Sequence, residues 1–245
     1  MRYLLATICA SLVAISFGAK LPTGFKKCNL KQISSHQCLP NAIESAIKQM
    51  NRPSKKLGLV SMEPLVIPLM IMDAGNQFVT AQHTYKNMRV SGFNETTCSK
   101  AEFNYTEKTL NLECVVPHFR MDFNYEGRGQ IMMISAYGNG TGWFLLSDNQ
   151  LGLTFKFGEY EKKGKTYFNI IHQELRMQPK DFDFDLQNMF DGDEQSADRL
   201  KQVLKENARE LYEDVRPGYE EAFGKVFASI FEKILGRVPI VDIFG

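Results

Sequence analysis

The chain has 245 residues, of which 44% are hydrophobic, and 29 basic against 28 acidic side chains give a net charge of +1. This length allows one large or two small domains, and the hydrophobic fraction predicts a packed core rather than a disordered chain. A nearly neutral chain lacks the basic field that nucleic acids and anionic membrane surfaces attract, so neither is predicted as a partner.

Residues 1–18 have the features of a secretory signal peptide. Arg2 precedes an apolar run from Leu4 to Phe17 that is too short to span a bilayer, and Ser16 and Gly18 are small residues suited to a cleavage site. We predict cleavage after Gly18, which makes residues 19–245 the mature, secreted domain with zero net charge (28 basic, 28 acidic). The alternative is a membrane anchor or a buried N-terminal helix. No later segment has the length and apolarity of a membrane span, so stable membrane insertion is not predicted.

Four cysteines remain once Cys9 leaves with the signal peptide: Cys28, Cys38, Cys98 and Cys114. An even number in an oxidising compartment predicts disulfide bonds, and four cysteines allow three connectivities. We favour Cys28–Cys38 and Cys98–Cys114 because each pair is close in sequence. On a chain-entropy estimate each bond stabilises the fold by roughly 2–3 kcal/mol.

Three N-glycosylation sequons begin at Asn94, Asn104 and Asn139. In a secreted chain each is a predicted surface glycosylation site, although such triplets also arise by chance.

No metal site or cofactor is predicted. The four histidines are scattered, and the cysteine spacing matches no zinc pattern. Asp181, Asp183 and Asp185 have the spacing of the first calcium ligands of an EF-hand, but the required Gly and Glu are replaced by Leu186 and Gly192. Because Phe alternates with these aspartates, a strand with Phe inward and Asp outward is the better interpretation.

In chain order, a short helix is predicted to begin at Pro40. Period-two alternation then runs from about Leu65 to Leu186, which predicts antiparallel strands with one apolar face each. Pro64 and Pro68 restrict the first of these strands to the edge of a sheet.

The turns and the central strand are predicted from glycine and from apolar runs. Glycine-containing turns are expected at residues 126–129, 138–140 and 162–164. The run from Ile131 to Tyr137 is apolar on both faces and predicts a central strand.

The C-terminal quarter returns to helical periodicity. One amphipathic helix is predicted from about Leu200 to Val215, interrupted at Pro217, with the next helix following directly or through a kink. A second helix from Tyr219 to Leu235 is apolar over so wide an arc that other elements must surround it. Helices at both ends of a long antiparallel meander predict a single-domain α+β fold.

Motifs for catalysis were not found. The chain has no nucleophile elbow, no phosphate-binding loop, no zinc-protease motif and no dinucleotide fingerprint, so a non-enzymatic protein is predicted. A lipid-ester hydrolase is the least favoured alternative.

Several short motifs, in order along nearly the whole mature chain, carry a family resemblance. They are Phe25-x-x-Cys28, Cys38-Leu39, Leu57-Gly58, Glu63-Pro64-Leu65, Tyr125-x-Gly127-Arg128-Gly129, Gly138-Asn139-Gly140, Gly164-Lys165-x-Tyr167, Phe190-Asp191-Gly192-Asp193, Asn207, Arg216-Pro217 and Val238-Pro239. Together they resemble the insect takeout and haemolymph juvenile-hormone-binding protein family. Glu63 stands where that family usually has Asp.

The resemblance implies a long C-terminal helix wrapped by a strongly curved antiparallel sheet, as in tubular lipid-binding (TULIP-like) proteins. It also implies a tunnel for juvenile hormone, another terpenoid or a fatty lipid, and a place in an extracellular fluid such as haemolymph. Several family members are clock- or feeding-regulated secreted factors. The alternative function is an interaction or signalling factor that acts through a surface receptor, with a filled or vestigial tunnel.

The tunnel is expected to be lined by one face of the C-terminal helix and by the apolar strand faces, where flexible Met side chains suit a surface that moulds around a ligand. The predicted lining residues are Phe223, Val226, Phe227 and Ile230 on the helix, and Met121, Phe123, Met133, Tyr137, Trp143 and Phe155 on the strands. Tyr137, Tyr219 and Ser135 are candidates for polar contacts at one end. The alternative is that these side chains form an ordinary packed core.

Overall fold

A long hairpin is the centre of the fold in the computed structural model, which describes residues 19–29, 38–74 and 77–244. The signal-peptide prediction falls on residues 1–18, outside the described residues, and stays a prediction. The strands are β1 Leu65–Ala74, β2 Val79–Ser91, β3 Thr97–Asn104, β4 Thr109–Ile131, β5 Ile134–Lys162, β6 Lys165–Gln178 and β7 Asp181–Leu186. The helices are α1 Cys38–Gln49, α2 Glu194–Glu206, α3 Ala208–Leu235 and α4 Ile240–Ile243.

All strand pairings in the sheet are antiparallel. The two long strands, β4 and β5, pair from Thr109–Lys156 to the tip at Ile131–Ile134. Near the tip, β2 flanks β4 and β7 flanks β5; towards the other end, β3 flanks β4 and β6 flanks β5. Among the described strands, β1 pairs with β2 alone and is an edge strand, as its prolines predicted.

The sheet curves around α3. The main strand order is β1-β2-β4-β5-β6, and α3 contacts both of its outermost strands, β1 and β6. One helix can touch both ends of the order only if the sheet bends around it. The predicted α+β fold, with a C-terminal helix wrapped by an antiparallel sheet, is therefore confirmed.

The inward face of β4 follows the predicted alternation. Leu110, Leu112, Cys114 and Val116 are buried, and Phe119, Met121, Phe123 and Tyr125 continue the buried face after a shift of one residue. The shift coincides with Pro117, which has no partner in the β4–β5 register. Proline cannot donate a hydrogen bond to the ladder, and the buried face of β4 changes here while the register with β5 stays the same on both sides.

Two of the three predicted turns are wrong, and so is the predicted strand from Ile131 to Tyr137. The hairpin turns at Met132 and Met133, whose φ angles of 48° and 66° are left-handed. Gly138 and Gly140 lie inside β5. A Cβ on Gly140 would stand 2.2 Å from the carbonyl oxygen of Gln187, so glycine serves there for a close backbone approach rather than a turn. Only the turn before Lys165 lies where it was predicted.

The predicted helix break at Pro217 is also wrong. The helix is instead interrupted at Asn207, between α2 and α3. The side-chain amide of Asn207 donates to the carbonyl oxygen of Val203 at 2.8 Å. α3 then continues through Pro217 to Leu235. Proline there removes one helical hydrogen bond, at a cost of about 3 kcal/mol in an isolated helix. Tertiary contacts on both sides of α3 offset that cost.

Polar contacts attach α3 to both sides of the sheet. On one side, the Asp214 carboxylate accepts hydrogen bonds from the backbone N–H groups of Gln77, Phe78 and Val79, at 3.0, 3.0 and 2.8 Å. On the other side, the backbone N–H of Met177 on β6 donates to Glu220 at 2.8 Å, and the Tyr212 hydroxyl donates to the Met177 carbonyl at 3.0 Å. α3 therefore satisfies backbone groups of the β1–β2 connection and of strand β6.

We predict that Asp214→Ala lowers the free energy of unfolding by about 2 kcal/mol, because three backbone donors lose a charged acceptor. Urea unfolding followed by circular dichroism measures this. The matched control is Glu213→Ala on the same helix turn, whose half-exposed ion pair with Arg216 contributes about 0.5 kcal/mol or less. Equal losses for the two variants would contradict the role assigned to Asp214.

Candidate functional site

Apolar cavities lie between the sheet and the helices in the described part of the chain. Two adjoining cavities of about 770 and 510 Å³, including the space at their mouths, share the walls formed by His83, Tyr85 and Phe144. We call these two the hairpin chamber. Two others, of about 910 and 610 Å³, share Ile43 and Phe231. We call these two the α1 chamber.

The hairpin chamber is built by the tip half of the sheet and by the α2–α3 corner. Met121 on β4, Phe144 on β5 and Phe182 on β7 line it from the sheet side, and Leu204 and Leu211 close it from the helices. The interruption of the helix at Asn207 positions Leu204 and Leu211 over the chamber, because it lets α2 leave the axis of α3. The α1 chamber is lined by α1, by the far halves of the strands and by the C-terminal turns of α3.

Few polar groups face the hairpin chamber. The hydroxyls of Tyr85 on β2 and Tyr219 on α3 are 2.6 Å apart and buried. Burial raises the pKa of both tyrosines well above the ordinary value, so both hydroxyls stay neutral. The pair links the sheet to the helix across the wall of the chamber.

His83 is a further polar group of the chamber, beside Tyr125, Arg128, Tyr137 and Tyr212. It lies two residues before Tyr85 on β2, stacks on the Tyr85 ring at 5.9 Å and lines both cavities of the chamber. Desolvation by burial lowers the pKa of His83, so its imidazole is neutral at physiological pH. A neutral imidazole offers one hydrogen-bond donor and one acceptor.

The structure distributes the predicted lining residues over different places. Met121 lines the hairpin chamber, and Tyr137, which is 41% exposed, lies at the mouth of its outer cavity. Phe227 and Ile230 line the α1 chamber. The predicted set is therefore not one continuous wall.

Four other predicted residues pack in the core without lining these chambers. Phe223 is fully buried, Phe123 packs against Tyr85 and Phe144, Phe155 packs against Phe231, and Val226 is half-buried beside the core.

Met133 and Trp143 do not face the interior. Met133 is at the hairpin tip and 92% exposed, because the segment read as a strand is a turn. Trp143 lies beneath the Arg120 guanidinium, 4.7 Å from the ring centroid, while its neighbour Phe144 lines the hairpin chamber. The run from Trp143 to Leu146 is apolar on both faces, so the sequence pattern does not say which of its side chains face inward.

Sequence analysis missed His83, Tyr85 and the α2–α3 corner. The signal on β2 was available, since Val79, His83 and Tyr85 are spaced by multiples of two and belong on one face. Leu204 and Leu211 were recognised as apolar helix positions, but periodicity alone does not say which strand they cover.

Both predicted disulfides are present. Cys28 is bonded to Cys38, and Cys98 on β3 is bonded to Cys114, its register partner on β4. The three sequon residues, Asn94, Asn104 and Asn139, are all exposed, and their glycosylation stays a prediction.

Metal sites and membrane-spanning helices are two further features to consider in the described ranges. In residues 19–29, 38–74 and 77–244, no group of three or more His, Cys, Asp or Glu is arranged to hold a metal ion. Within the same ranges, every helix is too short or too polar to cross a membrane. Asp181, Asp183 and Asp185 alternate along β7 with Phe182 and Phe184, as expected for a strand.

A model of the haemolymph juvenile hormone binding protein family matches residues 4–245. The chain belongs to this family. It is 20% identical over 231 residues to the circadian clock-controlled protein daywake of Drosophila melanogaster, covering 91% of this chain and 88% of that protein. The daywake protein of Drosophila yakuba matches at the same identity and coverage.

A solved member gives the same fold. The crystal structure of Takeout 1 from Epiphyas postvittana superposes with a TM-score of 0.78 at 20% identity, covering 90% of this chain and 99% of the other. The backbone architecture is therefore shared while most side chains differ, and the interior must be interpreted from this chain's own residues.

We predict that Tyr219→Phe lowers the free energy of unfolding by about 1–2 kcal/mol, because it leaves the buried Tyr85 hydroxyl without its partner. Tyr85→Phe should cost a similar amount. The double variant should cost clearly less than the sum, since no hydroxyl is then left unpaired. Additive losses in urea unfolding would contradict this coupling.

We predict a pH dependence from His83. The pKa is lower in the folded protein than the unfolded value of about 6.5, so the unfolded state binds more protons as the pH falls below that value. The free energy of unfolding should therefore decrease from about pH 6.5 downward until His83 protonates in the folded state.

The test of this dependence is urea unfolding across the pH range. His83→Gln should flatten the decrease, and the control His172→Gln, at an exposed position on β6, should leave it unchanged. If His83→Gln keeps the wild-type dependence of the unfolding free energy on pH, the assignment of that dependence to His83 is contradicted.

Proposed function

We propose that the protein is a secreted, non-enzymatic carrier that binds a small hydrophobic ligand in its interior. The supporting observation is the hairpin chamber, an apolar cavity of about 770 Å³ with a smaller cavity of about 510 Å³ beside it. Small-molecule sites combine apolar walls with a few polar groups in this way. The family's name refers to hormone binding, which supports binding rather than catalysis.

The wall chemistry suggests the ligand class. A terpenoid such as juvenile hormone, or a fatty lipid, would bury its hydrocarbon against Met121, Phe144 and Leu211. Each buried methylene contributes about 0.8 kcal/mol, so fifteen carbons give a gross term on the order of 10 kcal/mol. After the cost of association, micromolar to nanomolar affinity is expected. The neutral His83 imidazole is available to one ester, epoxide or carboxyl group on the ligand.

Secretion is part of this proposal. Two disulfides are typical of proteins from oxidising compartments, and the apolar run at residues 4–17 fits a signal peptide. The Drosophila relatives are named for circadian clock control, which supports a role in rhythm- or feeding-linked signalling.

A second function is action through a surface receptor. The observation that favours it is the outer side of edge strand β1, where Val66, Leu69 and Ile71 are 46%, 54% and 59% exposed. Charged substitution of Leu69 and Ile71 would abolish such an interaction while leaving ligand binding intact, which separates the two functions.

The direct test is extraction. Protein secreted from cultured insect cells is purified, extracted with organic solvent and analysed by mass spectrometry, and delipidated protein is titrated with a fluorescent fatty acid that juvenile hormone or unlabelled lipid can displace. A recovered or displaceable ligand is expected. Absence of both would refute the carrier function.

We predict that Ala208→Phe weakens ligand binding at least tenfold, because Ala208 lines the hairpin chamber at the start of α3 and a larger side chain occupies its volume. The control is Gln202→Phe on the exposed side of α2, which adds the same side chain outside the chamber. Equal affinities of both variants for the fluorescent probe would place the ligand elsewhere.

A further inference from the structure

Four phenylalanines pack together where the hairpin chamber and the α1 chamber approach each other, and two of them, Phe93 and Phe227, line the α1 chamber. Phe93 belongs to the short 3-10 turn Phe93–Glu95 after β2, Phe119 to β4, and Phe223 and Phe227 to α3. Their ring centroids are separated by 5.6 Å for Phe93–Phe119, 5.4 Å for Phe119–Phe223, 6.2 Å for Phe223–Phe227 and 6.0 Å for Phe93–Phe227. The four rings form a closed set of contacts from the sheet to the helix.

The inner pair of this set, Phe119 and Phe223, has no exposed surface. Neither residue lines either chamber. On β4, Met121 on one side of Phe119 lines the hairpin chamber, and Val116 on the other side lines the α1 chamber.

The same division occurs on the other elements. On α3, Tyr219 lines the hairpin chamber and Phe227 lines the α1 chamber, with Phe223 between them. On β6, Met177 lines the hairpin chamber and Leu175 lines the α1 chamber. The two chambers have no wall residue in common among those identified. On β4, α3 and β6 alike, the boundary between the two chambers therefore lies beside the Phe119–Phe223 contact.

A buried amide lies at this level on β5. Asn149 lies between Leu146 of the hairpin chamber and Leu151 of the α1 chamber, opposite Val116 on β4. It is fully buried, and neither its Nδ2 nor its Oδ1 has a hydrogen-bond partner within the described part of the chain.

We propose that Phe119 and Phe223 form a partition that sets the length of ligand the protein accepts. The two chambers then bind two short hydrophobic molecules separately, rather than one long molecule that runs the length of the interior. The inference rests on the proposed carrier function and specifies its ligand class as hydrocarbons short enough to fit one chamber.

The test is a chain-length series. Saturated fatty acids of about eight to about twenty carbons are titrated into the delipidated, full secreted protein, and native mass spectrometry gives the stoichiometry. Affinity should rise about fourfold per methylene, the change that corresponds to about 0.8 kcal/mol, and stop rising at a chain length well below the longest acid. Short acids should bind at two per chain.

Variants of Phe119 and Phe223 should raise the fatty-acid chain length at which the affinity stops rising. Phe119→Leu and Phe223→Leu keep an apolar side chain while opening the contact, and Phe119→Ala opens it further. In each folded variant the rise in affinity should continue to longer acids, which bind at one per chain. The control Phe155→Leu changes an equally buried phenylalanine that packs on Phe231 and not at the partition, so its limit should match that of the wild type.

The outcomes are distinguishable. No binding of any acid refutes the carrier function itself. An affinity that rises without a limit in the wild type, with one long acid per chain, overturns the partition without requiring any variant. A limit that is the same in the wild type, Phe155→Leu and the Phe119 and Phe223 variants overturns the assignment to these two residues.

Discussion

The closure of the curved sheet by α3 is the constraint on which the rest of the structure depends. A sheet with free outer strands exposes unpaired backbone groups, which natural proteins cover or satisfy. Here α3 accepts hydrogen bonds from the β1–β2 connection through Asp214, and it bonds the backbone of the outermost strand β6 through Tyr212 and Glu220. These contacts fix the separation between helix and sheet, and that separation defines the volume left inside.

Closure by polar contacts has a consequence for the interior. Because backbone hydrogen bonds at the rim hold α3 in place, the side chains beneath it need not fill all the space, and chambers remain on either side of the Phe119–Phe223 contact. The polar groups left inside are neutral, since burial raises the pKa of Tyr85 and Tyr219 and lowers that of His83. The interior is thus suited to uncharged or weakly polar molecules.

The sequence predicted the fold better than the site. The alternation from Leu65 to Leu186, the edge position of β1, both disulfides and the apolar C-terminal helix follow from local patterns, and the structure has all of them. The errors at Gly138–Gly140, Met132–Met133 and Pro217 share a cause. Each depends on a tertiary contact, such as the approach of Gln187 to Gly140, that local turn and helix preferences do not contain. The chambers depend on such contacts throughout, so six of the ten predicted lining residues pack elsewhere or face outward.

The partition shows how ligand range can change while the fold stays the same. At 20% identity the backbone still superposes on Takeout 1 with a TM-score of 0.78, so the sheet and helix persist while most side chains differ. A partition made by side chains from one strand and one helix, without any backbone closure, is removed or created by single substitutions. Those substitutions leave untouched the Asp214 and Glu220 contacts that hold the sheet around the helix. The partition and the polar closure of the sheet therefore depend on different residues, Phe119 and Phe223 for the first and Asp214 and Glu220 for the second.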